Sequence, residues 1–235
     1  MAFLRRCLMG DRILIFSPHP DDETFGCGGT IAKRVREGYT VLVVLFTNGE
    51  QAYYQIPGIQ KSLTLEEFLK IRREEVINAL KILGLEKNHL IFLDLKDGNL
   101  WQVRKEAEDK ALELLREFSP AEVYCTYKRD AHADHRAASH ILRNVIKKFN
   151  QPITAYYEYS ISHKYCFIGA CLDKLLKTIR HKIFHVDISD FLELKSRAIK
   201  EFQSQISIIS REQKKPIVRH VQRFLKSKEV FWISK

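Results

Sequence analysis

The chain has 235 residues, 45% hydrophobic and 29% charged, the content of an ordinary soluble protein and enough to bury the core of one large α/β domain. No apolar run approaches the roughly 18 residues of a membrane span, and the start, Met-Ala-Phe-Leu-Arg-Arg-Cys-Leu-Met-Gly, is too short and interrupted for a signal peptide, so a cytoplasmic protein is expected. The net charge of +10 is uneven, with 19 Lys and Arg against 8 Asp and Glu in residues 141–235 and 20 against 21 before them.

In chain order, strands are expected at Ile13–Pro18, Thr40–Thr47, His89–Leu95, Glu122–Tyr127, Ile153–Tyr159 and Lys182–Ile188, with a short terminal strand at Glu229–Ile233. Their nearly continuous apolar character is that of strands covered on both faces. Helical patterns fall between them at Gly28–Glu37, Thr64–Leu83, Gln102–Phe118 and Asp134–Phe149, and a last one at Ser189–Ser210. Thr64 and Glu67 form a capping box, and Gly84 is a C-cap. This alternation predicts an α/β fold with a doubly wound, mostly parallel sheet of order 3-2-1-4-5, with additional C-terminal strands and helices on both faces. No repeat or linker divides it, so residues 1–235 are expected to form a single domain.

Two clusters carry the chemistry. His19-Pro20-Asp21-Asp22-Glu23 follows the first strand, and Asp130-Ala131-His132-Ala133-Asp134-His135 follows the fourth. In the expected strand order these strands are neighbours, about 4.8 Å apart, so their carboxyl ends flank the topological switch point where sites form. Together the clusters offer more than the three His, Asp or Glu ligands of a catalytic zinc, with acids and imidazoles left for proton transfer. The bland alternative makes Asp21 and Asp22 helix caps and leaves the histidines satisfied locally.

Ser17-Pro18-His19-Pro20-Asp21-Asp22-Glu23-Thr24-Phe25-Gly26-Cys27-Gly28-Gly29-Thr30-Ile31-Ala32, then Thr47-Asn48-Gly49-Glu50, then Asp130-x-His132-x-Asp134-His135-Arg136-Ala137 resemble the LmbE-like (PIG-L type) zinc-dependent deacetylases. Weaker echoes are Arg72-Arg73-Glu74-Glu75 and Asp97-Gly98, and the likeness runs over about residues 13–205. The resemblance implies a Rossmann-like fold and hydrolysis of an N-acetyl group from a glucosamine-containing small molecule. It assigns the metal to His19, Asp22 and His135, the general base to Asp21, oxyanion stabilisation to a protonated His132, and the orientation of that imidazole to Asp134. Arg72 and Asp97 match positions that contact the sugar. The implied cofactor is Zn2+, and imidazole–carboxylate sites accept Fe2+ as well. Which group is joined to the sugar (inositol, a lipid-linked inositol, a second sugar, a nucleotide or malate) stays open, as does a homo-oligomer.

Other readings compete for some of these residues. Gly26, Gly28 and Gly29 invite a dinucleotide site, but the fingerprint's third glycine falls on Ile31, and acids crowd the turn, so close helix–strand packing is expected. Cys27 is expected to be a small buried residue rather than a ligand. The five cysteines (Cys7, Cys27, Cys125, Cys166, Cys171) are odd in number and lack a C-x-x-C pair, which suits free thiols. Tyr53, Tyr54 and Trp101 are candidates for stacking on sugar, and His163 for lining the pocket. The basic C-terminal third reads as a solvated face, or as attraction for an anionic partner. Specific nucleic-acid binding is not expected, because no aromatic-interleaved basic motif is present. A catalytically degenerate member that binds an anionic partner is the alternative to an enzyme.

Overall fold

Ile13, Leu14, Ile15 and Phe16 are all buried, and they make β1 (Arg12–Ser17) the centre of the sheet in this computed structural model, which describes residues 12–161 and 182–234. Cys7, Cys166, Cys171 and His163 lie outside the described residues. The sheet runs in the order β3-β2-β1-β4-β5-β7-β6, with β2 at Thr40–Thr47, β3 at Leu90–Leu95, β4 at Glu122–Thr126, β5 at Ala155–Tyr159, β6 at Lys182–Asp187 and β7 at Lys228–Ser234. The first five strands are parallel in the expected order. The last strand of the chain inserts antiparallel between β5 and β6.

Alternate residues of the central strands face opposite helical layers, as the two-residue period of a strand requires. Ile13, Ile15, Val41 and Val43 pack with residues of α1 (Asp22–Arg36), α3 (Leu65–Ile82) and α6 (Leu192–Lys200). Leu14, Phe16, Leu42 and Val44 pack with α4 (Arg104–Phe118) and α5 (Ala133–Lys148). A short α2 (Gln51–Gln55) follows β2. The capping box at Thr64 is present, and Gly84, at φ +93°, ends α3. No helix among the described residues is long and apolar enough to cross a membrane.

Two helices depart from expectation. The first begins at Asp22 rather than Gly28, with a kink at Cys27 (φ −142°, ψ 21°). Glycines disfavour helix locally, but the amides of Gly29 and Thr30 at the kink donate to the Glu229 carboxylate at 2.9 and 2.8 Å. That carboxylate is in turn paired with the buried Lys195 at 2.6 Å. The last helix is broken into α6 and α7 (Gln203–Ile206). Glu75 captures the chain at the break, accepting from the Ser204 amide and hydroxyl at 2.7 and 2.6 Å.

The glycines of α1 serve close packing. A Cβ on Gly26 would meet the Tyr159 ring at 2.1 Å. That ring cannot easily retreat, because its hydroxyl lies 2.6 Å from Ser17 Oγ and donates to the Phe16 carbonyl at 3.1 Å. Gly26→Ala is therefore expected to destabilise the fold by about 1–3 kcal/mol through overpacking. A urea titration checks this, with a lower midpoint expected at unchanged slope; an unchanged midpoint would contradict the packing account.

Candidate metal centre

β1 and β4 are hydrogen-bonded neighbours, so the loops that leave their carboxyl ends face each other. The first loop is pinned to β2, since the Pro18 carbonyl accepts from the Thr47 amide at 3.0 Å and hydroxyl at 2.9 Å. The second ends at His132, which occupies the N-cap of α5 and places His135 on its first turn.

The two loops bring three donor atoms together. Asp22 Oδ2 lies 3.0 Å from His19 Nδ1 and 3.1 Å from His135 Nε2, and the two nitrogens are 3.3 Å apart. Ligands about 2.0–2.1 Å from a tetrahedral zinc lie roughly 3.3 Å from one another. The triangle therefore fits one face of such a site with little movement. Each imidazole is held from behind by a carboxylate, Asp97 Oδ1 at 3.0 Å from His19 Nε2 and Asp130 Oδ1 at 3.0 Å from His135 Nδ1. This leaves His19 Nδ1 and His135 Nε2 turned to the centre, the usual orientation of metal-binding histidines.

Burial would lower the pKa of His19, but its contacts with Asp134, Asp22 and Asp97 prevail and raise it well above the ordinary value. His135 is likewise raised, to about 9, by Asp22 and Asp130 against burial. Burial would raise Asp22, but the two imidazoles hold it below the usual carboxylate range. The surrounding carboxylates thus favour positive charge at this position.

Asp21 stands apart from the triangle. Its carboxylate makes no helix-capping hydrogen bond, which removes the capping alternative for this residue. Its backbone is strained at φ 135°, a cost that persists where the surroundings over-determine a functional geometry. Burial pushes its pKa well above the ordinary value, against the opposing charge of Arg72, whose guanidinium lies 3.3 Å from Oδ2. His132 sits with its ring centroid 4.8 Å from that of His19 and 4.9 Å from that of His135.

All eight residues singled out in the sequence meet at one centre, and His19, Asp21, Asp22, Arg72, Asp97, His132 and His135 line its cavity of about 570 Å³. Three details differ from expectation. The Asp134 carboxylate accepts from the Gly98 and Leu100 amides at 2.7 and 3.2 Å and lies 3.5 Å from His19; it meets His132 through its main-chain amide, which donates to Nδ1 at 3.3 Å. Desolvation and the neighbouring His19 and His135 lower the pKa of His132, which works against the protonated ring expected from the resemblance. Arg72 is committed to the Gly49 and Pro20 carbonyls at 2.7 and 2.6 Å, and Asp97 accepts from the Gln51 amide at 2.8 Å; both hold the site together while lining it.

Asp130 is the residue the sequence reading left without a role, although it stands in the second motif. It also accepts from the Ile161 amide at 3.0 Å and the His132 amide at 3.1 Å. Tyr53, Tyr54 and Trp101 are not among the described residues that line the cavity; Tyr53 donates to the Leu63 carbonyl, and Trp101 packs on His140. Cys27 is buried and donates to the Glu23 carbonyl, as a packing residue should.

The sequence model of the family described as PIG-L, GlcNAc-PI de-N-acetylase, matches residues 14–146. Mycothiol S-conjugate amidase of Streptomyces coelicolor is 34% identical over 141 residues, covering 53% of this chain and 47% of the amidase. Diacetylchitobiose deacetylase of Thermococcus kodakarensis is 28% identical over 202 residues, covering 83% of this chain and 70% of that enzyme. The chain thus spans about half the length of the first relative. The structure of N,N'-diacetylchitobiose deacetylase from Pyrococcus horikoshii superposes with a TM-score of 0.68 at 25% identity, over 95% of this chain and 84% of the other.

Since its carboxylate neighbours push the pKa of His135 up to about 9, a divalent ion must displace protons to bind at neutral pH. Zinc affinity is therefore expected to rise from pH 6 to pH 8, by up to about tenfold per pH unit for each proton displaced. Calorimetry in two buffers of different ionisation heat counts those protons. Identical heats in both buffers would argue against ligation by the protonated imidazoles.

Proposed function

This chain belongs to the PIG-L family of de-N-acetylases, and from that premise we propose that it is a metal-dependent hydrolase that removes the acetyl group from an N-acetylglucosamine-type substrate. The observation that carries this reading is the donor triangle of His19, Asp22 and His135, drawn from two loops far apart in sequence, with the buried Asp21 left beside it. Those three residues would hold the metal. Zinc suits the two nitrogens and one oxygen, and iron(II) is accepted by the same donors. When bound, such an ion lowers the pKa of a water towards roughly 7 and polarises the amide carbonyl.

The remaining steps belong to the chain's own side chains. Asp21, raised by burial, takes the proton of the attacking water and passes it to the nitrogen of the leaving amine as the carbon–nitrogen bond breaks. Arg72 fixes the position of that carboxylate and limits how far its pKa climbs. Because His132 Nδ1 accepts the Asp134 amide, the ring's proton resides on Nε2, from which it donates to the oxygen that gains charge. Asp97 and Asp130 keep the two metal-facing imidazoles in their tautomers. The products are acetate and the free amino sugar.

Acetate release from simple N-acetylglucosaminides, with and without a chelator, tests the reading; no release, unaffected by chelator, would favour a binding protein instead. Asp21→Asn is expected to keep its zinc and lose about 10²–10⁴ in kcat. Metal content and turnover measured on one sample separate these effects, and full activity in that variant would remove Asp21 as the base. His132→Ala is expected to cost about 10²–10³ in kcat, read in the same assay, whereas a change in KM alone would assign it to binding.

A further inference from the structure

Glu23 follows Asp22 in the first motif, and no step of the mechanism uses it. Its side chain is fully buried, and among the described residues no cation pairs with it. A buried carboxyl group without a counter-charge is costly, so its oxygens must be spent on hydrogen bonds. Oε2 accepts from the Asp21 amide at 3.1 Å, and Oε1 accepts from the Thr24 hydroxyl at 2.7 Å.

An acid in the first turn of a helix is ordinarily a cap, and α3 has that arrangement. Glu67 is exposed and accepts from the Thr64 amide at 2.8 Å, while the Thr64 hydroxyl accepts from the Glu67 amide in return at 3.2 Å. At α1 only half of this exchange is present. Glu23 takes the Asp21 amide, but the Asp21 carboxylate makes no capping bond to the helix. With its backbone at φ 135°, that carboxylate belongs to a residue lining the catalytic cavity instead.

The bonds around Asp21 explain how such a backbone persists. The peptide joining Pro20 to Asp21 is held at both ends, its carbonyl accepting from the Arg72 guanidinium at 2.6 Å and its N–H donating to Glu23. The following peptide is held as well, since the Asp21 carbonyl accepts from the Thr24 and Phe25 amides at 3.1 and 2.9 Å. Two planar units fixed on either side of one α-carbon leave its φ and ψ little freedom, which is how a strained residue is over-determined. Without Glu23, the first of these units would be held at its carbonyl end alone.

We infer that Glu23 is a positioning residue: together with Arg72 it locks the Pro20–Asp21 peptide, and so keeps the Asp21 carboxylate off the helix amides and in the catalytic cavity. The consequence for turnover rests on the deacetylase reading; the consequence for the backbone does not.

The test compares zinc-loaded wild type with Glu23→Met, which is unbranched and removes both acceptors, and with Glu23→Gln. The glutamine keeps an oxygen for the Asp21 amide and an NH₂ for the Thr24 hydroxyl, which accepts as readily as it donates. Each protein is measured for zinc content, for kcat and KM of acetate release from an N-acetylglucosaminide, and for the Asp21 backbone by crystallography. In Glu23→Met, Asp21 is expected to leave φ near 135° and to turn its carboxylate to the Glu23 or Thr24 position's amide as an ordinary N-cap. Zinc content and KM are expected to stay within about twofold, and kcat to fall about tenfold to a hundredfold, the effect of misplacing one reacting group by about 1 Å. Glu23→Gln is expected to restore the backbone and most of kcat. A cap that merely stabilised the fold would lower the melting temperature and leave kcat of the folded enzyme unchanged. That result, or an Asp21 backbone unmoved in Glu23→Met, would overturn the inference. Thr24→Val, which withdraws the hydroxyl that steadies Glu23, decides the matter should Glu23→Met not fold: kcat is expected to fall several-fold with KM unchanged, and an unaltered kcat and Asp21 φ would overturn the inference. If wild type releases no acetate, the deacetylase reading falls, and the Asp21 backbone in the variant structures still decides the role of Glu23.

Discussion

The site depends on one carboxylate held between two imidazoles. Asp22 Oδ2 touches both His19 and His135 at about hydrogen-bond distance, and all three side chains are largely withdrawn from water. Charges buried in this way are costly unless paired and hydrogen-bonded. The surrounding loops meet that requirement with Asp97 and Asp130 behind the imidazoles, and with the Gly98, Leu100 and Gln51 amides on the outer carboxylates. A divalent ion at the centre would replace the protons that the imidazoles otherwise keep. The site is thus organised around a positive charge.

The scaffold's work is to hold two loops rigidly at adjacent strand ends. The close approach of α1 to β5 through Gly26, the Glu229 carboxylate that satisfies the kinked helix, and the Lys195 ammonium that neutralises that carboxylate all act on the element that presents Asp22. Arg72 performs a similar task from α3, clasping the Pro20 and Gly49 carbonyls and Asp21 at once. The strained backbone of Asp21 is kept in place by these contacts, which explains why Asp21 can differ from its neighbour Asp22 in both geometry and proton affinity.

Much of this was legible beforehand because it is local. Apolar runs of five to eight residues located every strand of the parallel core, and the spacing of Thr64 and Glu67 marked the cap of α3. The two loop clusters announced themselves because packing needs no histidines or adjacent carboxylates at strand-to-helix turns. The start of α1 was misplaced because the amides of Gly29 and Thr30 are satisfied by Glu229, 200 residues away, which no local pattern encodes. The break after α6 has the same cause in Glu75, and the tasks of Asp134 and Asp130 could not be told apart within a motif that contains both.

The sequence by itself determined the parallel α/β order, the two loops that meet and the imidazoles and carboxylates that gather there, since periodicity and turn chemistry are written in neighbouring residues. Only the tertiary structure decided which oxygen faces which nitrogen, that Asp97 and Asp134 brace His19, that the Asp134 amide meets His132 Nδ1, and that residues of the basic third line the same cavity. Those outcomes depend on distances of about 3 Å between groups up to 116 residues apart, and on desolvation that exists only once the chain has closed around them.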